Sequence, residues 1–412
     1  MEYFNCISLP AAERLIANEF AGLRAAREQV LLTEALGRIA AEDVVSKEDL
    51  PPFSRSTVDG FAVRGTDTFG AGEGVPALLD IVGEVVMGQQ AAVTLQPGQA
   101  VAIPTGGMLP PGADAVVMLE HAERPDHTTL LVLKAVAPGE NVILKGEDIN
   151  ADCRILAQGR KIMPQDIGAL AACGYMTVPV RRKPEVVIIS TGDEVVDVAC
   201  TPVNGQIRDI NSYALSAMLE EAGCIVERFG IVKDNYEELL AALSQSVSHC
   251  NMVIVSGGSS VGARDHTVKA IKELGETDAI FHGVAVKPGK PTIFGRIGNV
   301  PVFGLPGHPV AAMTVCAHIV KPAIQIFLGQ VTGDAYTIPA RMLRSMASVP
   351  GRDDYIRVRL VKKINEYWAE PVLGKSGLIS TMAEADGIVH IPADKGGLYS
   401  EEIVQVEVIT KQ

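Results

Sequence analysis

The sequence predicts a multidomain α/β protein built around a doubly wound α/β domain. Three observations carry this. Apolar strand-like runs alternate with helical patterns from Pro184 to about Gly329. Short β-like runs separated by Gly and Pro turns fill residues 47–145. After Val331 the chain turns β-like again, and Tyr355-Ile-Arg-Val-Arg-Leu360 alternates apolar and charged residues, as a strand with one wet face should.

The elements follow in chain order. Residues 8–44 read as helical, with Ser8 as a cap and apolar residues at helical spacing over Ala11–Leu23. Residues 47–145 hold β runs at Leu78–Val86, Ala100–Ile103, Ala115–Met118 and Thr129–Leu133. Residues 146–183 return to a helical pattern around Pro164–Cys173. The expected division is therefore a discontinuous helical or mixed N-terminal domain (1–46 with 146–183), an inserted β-rich domain (47–145), an α/β domain (184–330) and a C-terminal β domain (331–412). In the α/β part the expected parallel strands are Val186–Ser190, Ile225–Ile231, Met252–Val255, Pro291–Phe294 and Val302–Gly304. The expected helices are Ser212–Ala222, capped by Asn211 or Ser212, then Tyr236–Val247 and Val310–Leu328.

Composition excludes several classes. A chain of 412 residues, 47% hydrophobic and 21% charged, builds several packed cores. A net charge of −13 argues against broad binding to nucleic acid or anionic membranes. The first ten residues lack a basic run followed by an apolar core, so no signal peptide is expected. The most apolar region, Val302–Gly329, is broken by Pro306, His308, Pro309, His318, Lys321 and Pro322, which suits a loop and a buried helix rather than a span. Seven scattered cysteines without a Cys-x-x-Cys suggest neither zinc nor disulfides, and a cytoplasmic location is the simplest expectation.

In a doubly wound sheet, ligands sit beyond the carboxyl ends of the strands. That rule gathers separate turns into one site. Ser190-Thr191-Gly192-Asp193-Glu194 follows the first strand, Lys233-Asp234-Asn235 another, and Ser256-Gly257-Gly258-Ser259-Ser260-Val261-Gly262, with Asp265 beyond, a third. Val286-Lys287-Pro288-Gly289-Lys290-Pro291 precedes a strand, and Leu305-Pro306-Gly307-His308-Pro309 follows the last one. Gly-rich amides and hydroxyls hold phosphate oxygens. Glu194, Asp234 and Asp265 suit Mg2+. Lys287 and Lys290, stiffened by the neighbouring prolines, suit an oxyanion. Each motif has a plainer reading. Thr191 and Glu194 have capping-box spacing. Asp234 could cap the next helix, and both lysines could be solvated. Ser56, Asp59 and Gly60 sit in a turn before a strand, Thr105 in a second turn. Each of these alone is more often structural.

Phe53-Ser-Arg-Ser-Thr-Val-Asp-Gly-Phe-Ala-Val63, Thr105-Gly106, Gly112-Ala-Asp-Ala-Val-Val117, Gly146-Glu-Asp-Ile149, Ser190-Thr-Gly-Asp-Glu194, Ser256-Gly-Gly-Ser-Ser-Val-Gly262 with Asp265, Lys287-Pro-Gly-Lys-Pro291 and Gly304-Leu-Pro-Gly-His-Pro309 stand in this order. Gly351-Arg-Asp-Asp-Tyr355 and Gly374-Lys-Ser-Gly-Leu-Ile-Ser380 follow. The set resembles the molybdopterin molybdenumtransferases, the MoeA-type proteins and the gephyrin E domain, over essentially the whole chain. The resemblance implies a molybdopterin-binding, nucleotide-binding-like α/β domain and a C-terminal β-barrel-like domain. It implies an enzyme that accepts adenylated molybdopterin, inserts molybdate and releases AMP with Mg2+, the last common step of molybdenum cofactor biosynthesis. It also implies a homodimer with a composite site. By motif match, Asp59 and Thr105 come from the β-rich domain. Glu194, Asp234 and Asp265 are the acidic set, and Lys287, Lys290, Pro306 and Pro309 line the oxyanion pocket. Two residues depart from the family pattern: His308 stands where Asn is usual, and Val58 where Met is usual.

Two other readings are weighed. Adenylyl transfer to molybdopterin, the preceding step, would need only the α/β domain and its Ser-Gly-Gly loop. A scaffold role would expect an added module or linker, and none is evident. The natural partners of the enzymatic reading are the molybdopterin adenylyltransferase and recipient molybdoenzymes.

Overall fold

The computed structural model describes residues 6–257, 261–275, 280–331 and 336–409, with the side chains of residues 261–265 outside that description. The α/β part carries a six-stranded sheet ordered Ile225–Val232, Glu185–Thr191, Met252–Gly257, Val300–Leu305, Ile293–Ile297 and Phe281–His282. The inner runs Val186–Ile189 and Met252–Val255 are continuously apolar because both faces are covered, whereas the edge strand Ile225–Val232 exposes Glu227 and Arg228. Alternate residues feed opposite cores. Val186, Ile188, Met252, Ile254, Phe303 and Leu305 pack on one face. Val187, Ile189, Val253, Val255 and Val302 pack on the other.

The first four strands in that order pair in parallel. Ile293–Ile297 does not, which corrects the expectation of a wholly parallel sheet. It pairs antiparallel with Val300–Leu305 through the two-residue Gly298-Asn299 turn. A connection that short can only make a hairpin. The reversal has a functional consequence. The beginning of this strand, and the Lys287–Pro291 segment before it, now lie at the same rim as the carboxyl ends of the parallel strands.

Residues 8–44 are not helical throughout. One helix, Leu9–Phe20, is followed by the strand Arg27–Leu31, which pairs antiparallel with Thr177–Arg181. Val44–Val45 pairs likewise with Arg154–Leu156. Strand partners so distant leave no periodic signature in a local window. The two segments flanking the β-rich insertion do rejoin, since Ala35, Ala40 and Val44 share a core with Leu156, Ile162, Leu170 and Val178. The helix Leu9–Phe20 packs elsewhere, on the α/β core. There Phe20 stacks on Phe294 at 6.4 Å and meets Phe327 edge-on at 6.3 Å.

Within 47–145 a six-stranded sheet buries Phe61 and Val63 on one side and Ala62 and Val101 on the other. The C-terminal part closes as a five-stranded barrel, because Asp353–Lys363 pairs with both Glu366–Pro371 and Gly387–Ile391. The two-residue strand Val286–Lys287 of the α/β part adds in parallel to Asp353–Asp354. That pairing ties barrel to sheet. The helical run Pro309–Leu328 is long and apolar enough to cross a bilayer by length and composition, yet 61% of it is buried inside the protein. It carries a π turn at Cys316–Val320, just before Pro322. Proline has no amide hydrogen and its ring crowds the carbonyl four residues back, so a widened turn at that place relieves the clash.

Candidate functional site

Chain order departs from the first strand toward Ile225–Val232 and returns to Met252–Gly257 on the other side. This switch point opens a crevice between Thr191 and Gly257, which are neighbours in register. The two backbones approach very closely. A Cβ on Gly257, at φ +140°, would lie 2.1 Å from the Thr191 carbonyl oxygen, so only glycine fits. Gly192 is similar, at φ +149°, where an added Cβ would lie 2.8 Å from Glu194 Oε2.

Several predicted ligand groups are spoken for within the protein. Ser190 is buried and its hydroxyl donates to Asp209 Oδ2 at 2.8 Å. Asp209 Oδ1 in turn accepts from Ser212 N, so this carboxylate holds the start of the helix Asn211–Glu221. Asn211 is not the cap. Its Nδ2 donates to Ser256 Oγ and to the Gly307 carbonyl, both at 2.9 Å. One amide thus ties the Ser256 turn to the Pro306–Pro309 turn. The capping-box reading of Thr191 and Glu194 falls away, because a turn and the short strand Val195–Val196 follow them, not a helix.

The acidic end lies on the side of the Ile225–Val232 strand. Asn235, not Asp234, caps the helix Tyr236–Ser246, accepting from Glu237 N and Glu238 N. The Asp234 carboxyl is thereby released from that task. Its own amide donates to Asp193 Oδ1 at 3.2 Å, and its Oδ1 is buried with no hydrogen-bond partner among the described residues. Burial first, then the Glu194 and Asp193 charges, raise its pKa, while His266 opposes them. Among the described residues, no three His, Cys, Asp or Glu side chains converge closely enough to hold a metal unaided. Gly258, Ser259 and Ser260 lie outside the described residues. Gly262 and Asp265 fall on the helix Val261–Gly275 where side chains are not described.

The basic end is a cavity of about 880 Å3 between the α/β part and the barrel. Lys287, Lys290, Pro306 and His308 line it from one side, Arg352, Arg357, Lys375 and Ser376 from the other. Asp354 is fully buried at its wall and binds Arg352 Nε at 2.8 Å and Lys287 Nζ at 3.7 Å. Lys287 thus has a charge partner, although its side chain stays largely exposed. Arg357 is only 9% exposed. It donates to the Gly374 carbonyl, but its Nε is buried and unpartnered among the described residues. A desolvated guanidinium with an unused donor beside further cations favours an anion. His308 Nδ1 meets Ser376 Oγ at 2.8 Å, and Val310 N donates to the Ser376 carbonyl, pinning the barrel loop to the helix start. Pro309 is buried at the first helical turn, where its missing amide hydrogen costs nothing.

Asp59 and Thr105 meet each other. Asp59 Oδ1 accepts from Thr105 N at 2.8 Å and from Thr105 Oγ1 at 3.1 Å, at the exposed ends of two neighbouring inner strands of the β-rich sheet. Among the described residues, none from that sheet lines the basic cavity. Sequence patterns alone assign Asn211 only a helix cap, and no role to Arg352, Arg357, Lys375 or Ser376. Arg352, Lys375 and Ser376 do stand in the two tail motifs and Arg357 just beyond the first, but only the barrel's closure brings them to Lys287.

Family models match most of the chain. The MoeA N-terminal region (domain I and II) covers residues 7–174, a probable molybdopterin binding domain covers 187–326, and the MoeA C-terminal region (domain IV) covers 339–409. The chain is 33% identical over 401 residues to molybdopterin molybdenumtransferase 1 of Mycobacterium tuberculosis, covering 92% of this chain and 93% of that protein. It is 32% identical over 389 residues to the molybdopterin molybdenumtransferase of Bacillus subtilis, covering 93% and 90%. The crystal structure of a molybdopterin biosynthesis MoeA protein from Pyrococcus horikoshii superposes with a TM-score of 0.84 at 37% identity, over 99% of this chain and 100% of that one.

The Asp234 environment has a signed consequence. A carboxyl whose folded pKa is raised favours folding only in acid, and that contribution is lost as pH rises through the folded value. Asp234→Asn is therefore expected to melt at a higher temperature than the parent at about pH 7 in chelator, with the difference closing below about pH 4. Added Mg2+ should raise the melting temperature of the parent and not of the variant. Thermal melts across pH, with and without the cation, check both.

Proposed function

Because this chain belongs to the MoeA-type molybdopterin molybdenumtransferase family and is an enzyme of molybdenum cofactor biosynthesis, we propose that it transfers molybdate to adenylated molybdopterin and releases AMP at the rim described above. The observation that carries this is the pairing of a desolvated, partly unsatisfied Arg357 with Lys287, Lys290, Arg352 and Lys375 around one cavity. Molybdate is a small tetrahedral dianion. Its double negative charge suits a pocket where five cations surround one buried carboxylate.

The phosphoanhydride would lie along the Thr191–Gly192 and Ser256–Gly257 turns, where glycine lets backbone approach an oxygen closely. Lys287 and Arg352 hold the incoming oxyanion. The Asn211 bridge keeps the two turns at a fixed spacing, so the anhydride and the oxyanion stay adjacent. A magnesium ion fits the acidic end: a buried, unpartnered Asp234 oxygen beside Asp193 and Glu194 matches an ion that takes one or two carboxylates and completes its shell with water and phosphate. When bound, it neutralises charge developing on the departing AMP. Asp265 belongs to the same proposed acidic set.

Asp59 and Thr105 complete the site from a second copy, since they form a preorganised pair on a surface apart from the cavity. The working unit is then a homodimer with a composite site. Its substrate comes from a molybdopterin adenylyltransferase and its product passes to recipient molybdoenzymes. The seven cysteines are all free, as suits a reducing cytoplasm.

AMP release from adenylated molybdopterin, followed against molybdate concentration, tests the oxyanion pocket. Lys287→Ala and Arg357→Ala are expected to raise the molybdate KM by about tenfold or more, the cost of one charge-assisted contact. Absence of molybdate-dependent AMP release by the parent protein would refute the function. The composite site has its own test. Asp59→Ala and Asp234→Ala chains should each be inactive alone and regain activity when mixed and allowed to exchange subunits. Activity that stays absent in verified mixed dimers would place Asp59 outside the shared site.

A further inference from the structure

Three aromatic rings stand in a column beside the basic cavity. Tyr355, at its wall and 8% exposed, lies between His318 and His390. The His318 ring is 4.0 Å away and tilted 15°, the His390 ring 5.0 Å away and tilted 18°. The rings come from three different elements: the π turn Cys316–Val320, the strand Asp353–Lys363 and the strand Gly387–Ile391. Of the two outer rings, His390 is tethered by a hydrogen bond. His390 Nε2 meets Asp353 Oδ1 at 2.7 Å. His318 Nδ1 lies 3.9 Å from Glu407 Oε2 on a third barrel strand. Glu13, from the helix Leu9–Phe20, and Lys321 complete the charged surroundings.

The column and the cavity share one short stretch of backbone. Asp353 and Tyr355 belong to the stack. Asp354, between them, holds Arg352 and Lys287, and its backbone pairs with Lys287 in register. A lysine on a flexible stem binds an anion better when something fixes it beforehand. Nothing in the family motifs assigns His318 or His390 a part in this.

We propose that His318 and His390 are positioning residues for the oxyanion pocket: by clamping Asp353 and Tyr355 between the long helix and the barrel, they hold Asp354, and through it Lys287 and Arg352, in the geometry that receives molybdate. This rests on the reading of the cavity as the molybdate site. The two histidines act differently. Burial lowers the pKa of His318 to about 4, so it is a neutral ring at working pH, and its buried Nε2 has no hydrogen-bond partner among the described residues. A plain aromatic ring can replace it. His390 also uses a ring nitrogen on Asp353, and a plain ring cannot.

The experiment uses full-length protein, adenylated molybdopterin and molybdate. His318→Leu keeps the buried volume and removes the ring, so the molybdate KM should rise about tenfold, with the KM for adenylated molybdopterin and the kcat within about twofold of the parent. His318→Phe should behave like the parent. His390→Phe keeps a ring without the donor and should weaken molybdate as His318→Leu does, whereas His390→Gln, which keeps a donor, should recover most of the loss. Lys287→Ala is the reference. If it raises the molybdate KM while His318→Leu and His390→Phe do not, the stack is not a positioning device, even if those variants melt lower. If His318→Leu and His390→Phe raise both KM values alike, the role is general support of the fold and the inference fails. If Lys287→Ala itself leaves the molybdate KM unchanged, the cavity is not the molybdate site, and the functional reading falls first.

Discussion

Asp354 is a carboxylate with no solvent exposure, and its two cations come from different parts of the chain. A buried charge is tolerated only when it is paired, and here Arg352 makes the close contact while the more exposed Lys287 adds a longer one. This constraint dictates how the barrel meets the α/β sheet. The segment that carries Lys287 adds as an extra strand to the barrel strand Asp353–Lys363, which brings the lysine beside Asp354. The antiparallel strand after it then runs away from the rim. The cavity is what remains between the two bodies once that junction is made.

The junction also gives a chain of net charge −13 a place for the proposed oxyanion. The overall field is repulsive, but over a few ångströms the local sum decides. Five cations converge on one cavity, and the acidic side chains at the other end of the rim would serve the proposed magnesium ion. Separation of the two along adjacent strand ends suits a substrate that carries both an anhydride and a metal-accepting group. A chain consisting of the α/β unit alone would lack Arg352, Arg357 and Lys375, three of the five cations at the cavity. That weighs against the preceding adenylyl transfer as this protein's reaction.

Much of the fold was legible because burial on both faces writes an unbroken apolar run, as at Val186–Ile189 and Met252–Val255. The rim turns were legible because glycine is irreplaceable where Gly257 passes Thr191. The missed features have a common cause. Arg27–Leu31 finds its partner far along the chain at Thr177–Arg181, and no local period announces it. The reversal at Gly298-Asn299 was missed because the strand and helix alternation before it favours reading the next run as one more parallel strand. Asp234 and Asn235 both look like caps, and only the geometry shows that Asn235 takes that task and leaves Asp234 an unused oxygen. Arg357 and Asn211 acquire meaning only through neighbours that folding supplies.

The central claim is that the basic cavity between sheet and barrel is where the tetrahedral oxyanion sits. Diffraction above the molybdenum absorption edge, from crystals soaked in molybdate, reads that position directly. The account predicts an anomalous peak in the cavity within contact distance of Lys287, Arg352 and Arg357. A fully occupied peak elsewhere, with the cavity holding only water, would contradict it.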